Sequence, residues 1–93
     1  MRVLIADKFS AEGKATLATL GLQIEDRPEL GAADLPAALE TSAADVLVVR
    51  STEVKADAFA RAPSLSLVIR AGAGVNTIDL AAASKHGVFV ANT

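Results

Sequence analysis

Short apolar runs alternate along the chain with stretches in which apolar residues recur every three or four positions. That pattern belongs to a parallel sheet covered by helices on both faces. Five strands are predicted, over 3–6, 22–25, 46–49, 65–69 and 88–91. A helix is predicted over 10–20, with Ser10 as N-cap, Glu12 in the first turn, Leu17 and Leu20 turned inward, and Gly21 as the stop. Asp34 is expected to cap a second helix that carries Leu35, Ala38 and Leu39 on one side, with Pro36 in the first turn where its absent N–H costs nothing. A short helix over 57–62 ends before Pro63, and a last one begins at Asp79 and closes on Lys85-His86-Gly87. Right-handed crossovers then give an α/β, flavodoxin-like three-layer domain with strand order 2-1-3-4-5.

In such a sheet ligands collect beyond the carboxyl ends of the strands. The residues there are Asp7 and Lys8, then Arg50, Ser51 and Thr52, then 70–74, then Asn92 and Thr93. Strands three and four are neighbours, so Arg50 and Arg70 stand side by side with two hydroxyls and the Gly72-Ala73-Gly74 loop between them. Forked guanidinium N–H groups next to open backbone donors suit a carboxylate or a phosphate. The competing reading is that each arginine pairs with a surface acid such as Glu53 or Asp79. For the loop, the alternative is a tight turn whose glycines serve backbone geometry alone.

Other chemistries fit poorly. Gly72-Ala73-Gly74-Val75-Asn76-Thr77 is a broken G-x-G-x-x-G, with threonine in place of the third glycine, after strand four instead of strand one, and with no acid about twenty residues on. His86 reads as a helix C-terminus beside Gly87, not as a general base. No triad or carboxylate pair has usable spacing, and Asp7 is a weak candidate for a lone acid. A phosphoacceptor receiver would need an acid where Arg50 stands. A flavodoxin would need a hydroxyl-rich loop after strand one and flanking aromatic rings, and the chain has neither Trp nor Tyr.

Composition narrows the field further. The chain has 93 residues, enough for one domain and little more. It is 52% hydrophobic, with a mean hydropathy of +0.40, so a covering partner is expected for part of its surface. A net charge of −2 with interspersed signs argues against nucleic acid and against a polybasic membrane face. Absence of cysteine removes disulfides and thiolate chemistry, and a single histidine cannot form a histidine-rich metal cluster, so no metal is expected. With no signal-like or membrane-spanning stretch, the expectation is a cytoplasmic protein.

Four segments together carry a family resemblance: Val-Arg-Ser-Thr at 49–52, Arg-Ala-Gly-Ala-Gly-Val at 70–75, Ile-Asp-Leu-Ala-Ala-Ala at 78–83 and His-Gly-Val-Phe-Val-Ala-Asn-Thr at 86–93. They resemble the N-terminal substrate-binding domain of NAD-dependent D-2-hydroxyacid dehydrogenases, above all the phosphoglycerate-type members that feed serine biosynthesis. The likeness extends over nearly the whole chain, from the opening Val3-Leu-Ile-Ala-Asp7 onward. It implies that the loop made by Gly72, Ala73, Gly74 and Val75 offers N–H groups to the substrate carboxylate, with Ala73 and Gly74 the foremost donors. It implies that Arg50 and Arg70 hold the phosphate and that Ser51 and Thr52 line the pocket. Asn76-Thr77 replaces the family's usual Asp-Asn, which alters the detailed shape of the loop.

The resemblance also fixes expectations about what lies elsewhere. The family's NAD fingerprint, its catalytic histidine, the acid that orients it and the substrate-polarising arginine belong to a second domain that starts after the position of Thr93. Residues 1–93 are therefore expected to be a substrate-binding domain that binds no cofactor and is inert alone, with weak affinity for a 3-phosphoglycerate or 3-phosphohydroxypyruvate type of anion. The family's final helix is also expected to be absent, leaving an apolar face through which the chain forms a homodimer. An edge contact through 88–91 is the second choice. Two other readings stay open: a fragment that only folds and self-associates, and a domain of another dehydrogenase or corepressor relative.

Overall fold

The computed structural model describes residues 2–6, 15, 18–27, 29–31, 33–50, 52–70 and 78–92, with the side chain of Asn92 excepted. Its five strands are β1 (Arg2–Ile5), β2 (Gln23–Asp26), β3 (Val46–Val49), β4 (Leu67–Arg70) and β5 (Phe89–Asn92). The described helices are α1 (Leu35–Ser42), α2 (Ala56–Ala60) and α3 (Leu80–Lys85). All strands are parallel, in the order β2-β1-β3-β4-β5, as the alternation of apolar runs and amphipathic stretches predicts.

β3 is the centre of the molecule because all four of its residues are buried. Its pleat sends Leu47 and Val49 to one face and Val46 and Val48 to the other. Leu47 and Val49 join Leu4, Val68, Leu35, Leu39 and Phe59 in the larger core, under the three described helices. Val46 and Val48 join Val3 and Ile5 in a smaller cluster, against which Leu22, Ile24, Leu67 and Ile69 are half-buried. Burying each of these β3 side chains is worth about 1.5–3 kcal/mol relative to leaving it in water.

The amino ends of three strands meet at Asp45. Its carboxylate accepts the Arg2 N–H at 2.8 Å, its own N–H donates to the Arg2 carbonyl at 2.9 Å, and its carbonyl accepts the Ser66 N–H at 2.8 Å and the Ser66 hydroxyl at 3.1 Å. One residue thereby sets the start of β1, β3 and β4.

Three sequence expectations are corrected. Asp34 does not cap α1 with its side chain: its backbone is already helical (φ −92°, ψ −13°), whereas a side-chain cap needs an extended residue. Leu20 is 68% exposed instead of inward, because it sits where the chain breaks into the left-handed turn at Gly21 (φ +77°), and Leu22 takes the packing role. Leu65 is buried but precedes β4, held in a turn by its N–H bond to the Ala62 carbonyl. β3 keeps its predicted bounds, while the remaining strand ends and the short helix move by one or two residues, as frayed ends do. The helix expected over 10–20 lies outside the described residues except for Ala15 and its last turn at 18–20, so Ser10, Glu12 and Leu17 go unplaced.

Asp79 performs as predicted. It is extended (φ −73°, ψ 93°), and its carboxylate accepts the Ala82 N–H at 3.0 Å. Replacing Asp79 with Ala is expected to cost about 1 kcal/mol, read as a lower urea midpoint with unchanged slope; an unaltered midpoint would show the cap to be idle. Gly87 ends the same helix at φ +70°, and His86 is its C-cap, as the Lys-His-Gly pattern indicates.

Candidate functional site

The register of the sheet places the predicted site residues at its carboxyl edge. Val49 pairs with Arg70, and Arg70 pairs on its other side with Asn92. Arg50 is the first residue past β3, one step beyond the partner of Arg70, so the two arginines leave adjacent strands spaced about 5 Å apart. Arg70 shares a pleat face with Val68, is half-buried, and extends the apolar row with a charged end. Arg50 is exposed and Thr52 half-buried. Ser51, Gly72, Ala73, Gly74 and Val75 lie outside the described residues, as do Asp7, Lys8 and Thr93.

A second pairing, not foreseen from the sequence, closes the far side of this region. Val54 and Ile78 form an isolated parallel bridge, and the Asp79 N–H donates to the Val54 carbonyl at 2.9 Å. Both side chains are buried, Val54 completely and Ile78 to 5% exposure. Val49 and Val54 on one segment are therefore paired with Arg70 and Ile78 on the other, at the sheet and beyond it. A sequence signal for this was present: each is a lone apolar residue immediately before the N-cap of a helix, Lys55 for α2 and Asp79 for α3. Apolar residues at that position pin the entry of a helix against its neighbours.

The acids weighed above as partners of the arginines have contacts of their own. Glu53 lies 3.6 Å from the Lys55 ammonium, and the Asp79 carboxylate serves the α3 cap. At the end of β2, Arg27 makes side-chain bonds to Glu29 at 2.7 Å and Glu25 at 3.3 Å. The Arg27 hydrogen bond holds the Glu29 carboxyl below its ordinary range, and Glu29 in turn raises the guanidinium of Arg27. This exposed trio is a surface network, separate from Arg50 and Arg70 in the strand order. Among the described residues no group of three His, Asp or Glu side chains is placed to hold a metal, and no helix is long and apolar enough to cross a membrane.

His86 is at the other end of the molecule. α3 runs from Asp79, beside Val54, back to the start of β5, so His86 lies at the amino edge of the sheet, roughly 13 Å of strand away from the Arg70 end. It cannot serve as a base at the carboxyl edge.

Residues 3–93 match the family model described as D-isomer specific 2-hydroxyacid dehydrogenase, catalytic domain. The chain belongs to that family. It is 43% identical over 91 residues to D-3-phosphoglycerate dehydrogenase of Mycobacterium leprae, covering 97% of this chain and 17% of that protein. The human D-3-phosphoglycerate dehydrogenase is 39% identical over 93 residues, covering 99% of this chain and again 17% of the relative. The chain thus spans about one-sixth of the length of these curated relatives. Its fold matches that of the NAD+-bound 3-phosphoglycerate dehydrogenase of Entamoeba histolytica with a TM-score of 0.85 at 21% identity, over 100% of this chain and 32% of that one.

The family is NAD-dependent, and the glycine pattern of a dinucleotide fingerprint is not found after β1 in this sequence. The reversal of strand order lies between β1 and β3, where residues 7–13 contain one glycine, whereas the closely spaced Gly72 and Gly74 follow β4, one strand further out. No step involving the dinucleotide is assigned to these residues.

Proposed function

We propose that this chain is the substrate-binding portion of a D-3-phosphoglycerate dehydrogenase and that it grips the anionic ends of the substrate without performing hydride transfer itself. The observation that supports the reading is the pairing of the described residues that flank, in sequence, the two segments that the family resemblance assigns to the substrate. Val49 pairs with Arg70 and Val54 with Ile78, and Arg50 and Arg70 stand at the carboxyl ends of the neighbouring strands β3 and β4.

In this reading the guanidiniums of Arg50 and Arg70 bind the phosphate, whose tetrahedral oxygens match forked donors from two directions. Ser51 and Thr52 add hydroxyl donors, and the N–H groups of Ala73 and Gly74 receive the carboxylate, with Gly72 and Val75 flanking them. Two anion-binding points at fixed separation select a substrate charged at both ends over a monoanion such as lactate. Oxidation of a 2-hydroxy acid also requires a base for the hydroxyl proton and an acceptor for the hydride. In this reading neither comes from the described residues of the carboxyl edge, His86 lying at the opposite edge of the sheet.

Two-dimensional NMR with 3-phosphoglycerate tests the reading, with lactate and inorganic phosphate as controls. Shifts are expected at Arg50, Thr52, Arg70 and the 71–75 amides with 3-phosphoglycerate, weaker ones with phosphate, and none with lactate. NAD+ added to the complex is expected to yield no NADH absorbance. A folded chain silent to 3-phosphoglycerate would refute binding by this chain, and equal responses to lactate would move it to another branch of the family.

A further inference from the structure

β5 is an edge strand that is apolar on both faces. Phe89, in register with Leu67, is 78% exposed on the face of the smaller cluster, where Leu67 and Ile69 are only half-buried. On the other face, Leu80, Ala83 and Ser84 of α3, Val90 of β5 and Val88 just before it line an open groove of about 380 Å³. Leu80 is itself 48% exposed. The backbone polarity of the strand is also set. The Phe89 N–H donates inward to the Ser66 carbonyl at 2.9 Å, so in a parallel ladder the N–H and C=O of Val90 point away from β4, toward the open edge. The Val88 N–H is used at home by the Ala83 carbonyl at 2.8 Å.

We propose that this edge pairs with a second copy of the chain, β5 against β5 in antiparallel orientation about a two-fold axis, joining two five-stranded sheets into one of ten strands. Three observations converge on a second copy as the occupant. The outward groups of Val90 can be exchanged with those of the partner's Val90, an antiparallel arrangement in which an identical strand satisfies itself. That register sets Phe89 opposite the partner's Ala91 and brings the two Phe89 rings within diagonal reach, about 7 Å apart, on the face where they are now bare. Finally, α3 is charged oppositely at its two ends, with Asp79 at the start and Lys85 at the finish, and Lys85 has no ion-pair partner among the described residues. Because α3 runs against β5, the two-fold axis lays the helices antiparallel on one face, so that Lys85 of each copy lies toward the partner's Asp79. A parallel or face-to-face association would not match these charges. The chain presents no Pro or inward charge on β5 to forbid such pairing, the usual protection of an exposed edge.

Sedimentation equilibrium of the 93-residue chain from micromolar to millimolar concentration, combined with amide hydrogen exchange, tests this assignment. A dimer is expected, with the Val90 amide exchanging slowly at high concentration and fast on dilution, because in the single copy it faces water. Phe89→Lys, which alters an exposed side chain, is expected to give a folded monomer by circular dichroism, and Lys85→Glu to weaken association about tenfold. Leu20→Lys, remote from β5, is expected to leave the dimer intact. A wild-type chain that stays monomeric at millimolar concentration overturns the proposal. So does a dimer that survives Phe89→Lys, or one that only Leu20→Lys disrupts, since the contact would then lie elsewhere. Ligand binding plays no part in these readouts, so their failure leaves the substrate-binding reading untouched.

Discussion

Phe59→Ala is expected to remove about 3–5 kcal/mol of stability, the range for truncating a buried phenylalanine in a core that relaxes only partly. Phe59 is 2% exposed and sits on the five-residue α2, packed with Leu47, Leu35 and Ala58 in the larger core. A chain of this length has a total stability of about 5–14 kcal/mol, so one substitution takes roughly a fifth of it or more. The melting temperature is expected to fall by about 15–30 °C. Urea unfolding must be followed by circular dichroism, since the chain has no Trp or Tyr to report by fluorescence. Phe89→Ala provides the internal contrast: its ring is exposed, and at concentrations where the chain is monomeric its removal should change stability by no more than about 0.5 kcal/mol. Equal losses from the two would place the main core on the wrong face.

Arg70→Gln is the second large effect. Losing a charge-assisted hydrogen bond to an oxyanion costs about 1.5–3 kcal/mol, which is a roughly tenfold to hundredfold weaker affinity for 3-phosphoglycerate. Arg50→Gln is expected to cost less, about threefold to tenfold, because Arg50 is the more exposed of the two and its interactions are screened by water. Arg70→Lys should recover only part of the loss, since an ammonium restores charge without the forked geometry. Titration calorimetry or NMR measures these ratios. If both arginines can be replaced without effect on binding, the phosphate is held elsewhere and the assignment of the carboxyl edge fails.

Much of the architecture was legible because each step rested on burial or on a local backbone requirement. The run Val46-Leu-Val-Val49 has no polar residue and could only be a strand covered on both faces. Gly21 and Gly87 were readable as helix ends because a left-handed turn favours glycine, and both adopt positive φ. Asp79 was readable as a cap because the residues around it allow an extended backbone there. Asp34 shows the limit of the same argument: the residue type was right, but the turn from Gly31 delivers it already helical, and no pattern in the sequence expresses that angle. Leu20 failed for a related reason, since helical periodicity cannot say where the supporting sheet ends. The site was readable only as strand ends. The Val54–Ile78 bridge depends on two residues 24 positions apart meeting after separate crossovers, and periodicity within either segment carries no information about that meeting.

The gathering of three strand starts on Asp45 has an evolutionary consequence. Register in β1, β3 and β4 is counted from the amino edge, where the carboxylate and backbone of one residue hold Arg2 and Ser66. Inserting or deleting residues before that line would shift apolar side chains from one face to the other and scramble both cores. Changes in length at the opposite edge, between 50 and 53 or between 71 and 77, leave that count intact. A lineage built on this sheet can therefore lengthen, shorten and reshuffle the segments that follow its strands, while its structural frame is inherited unchanged.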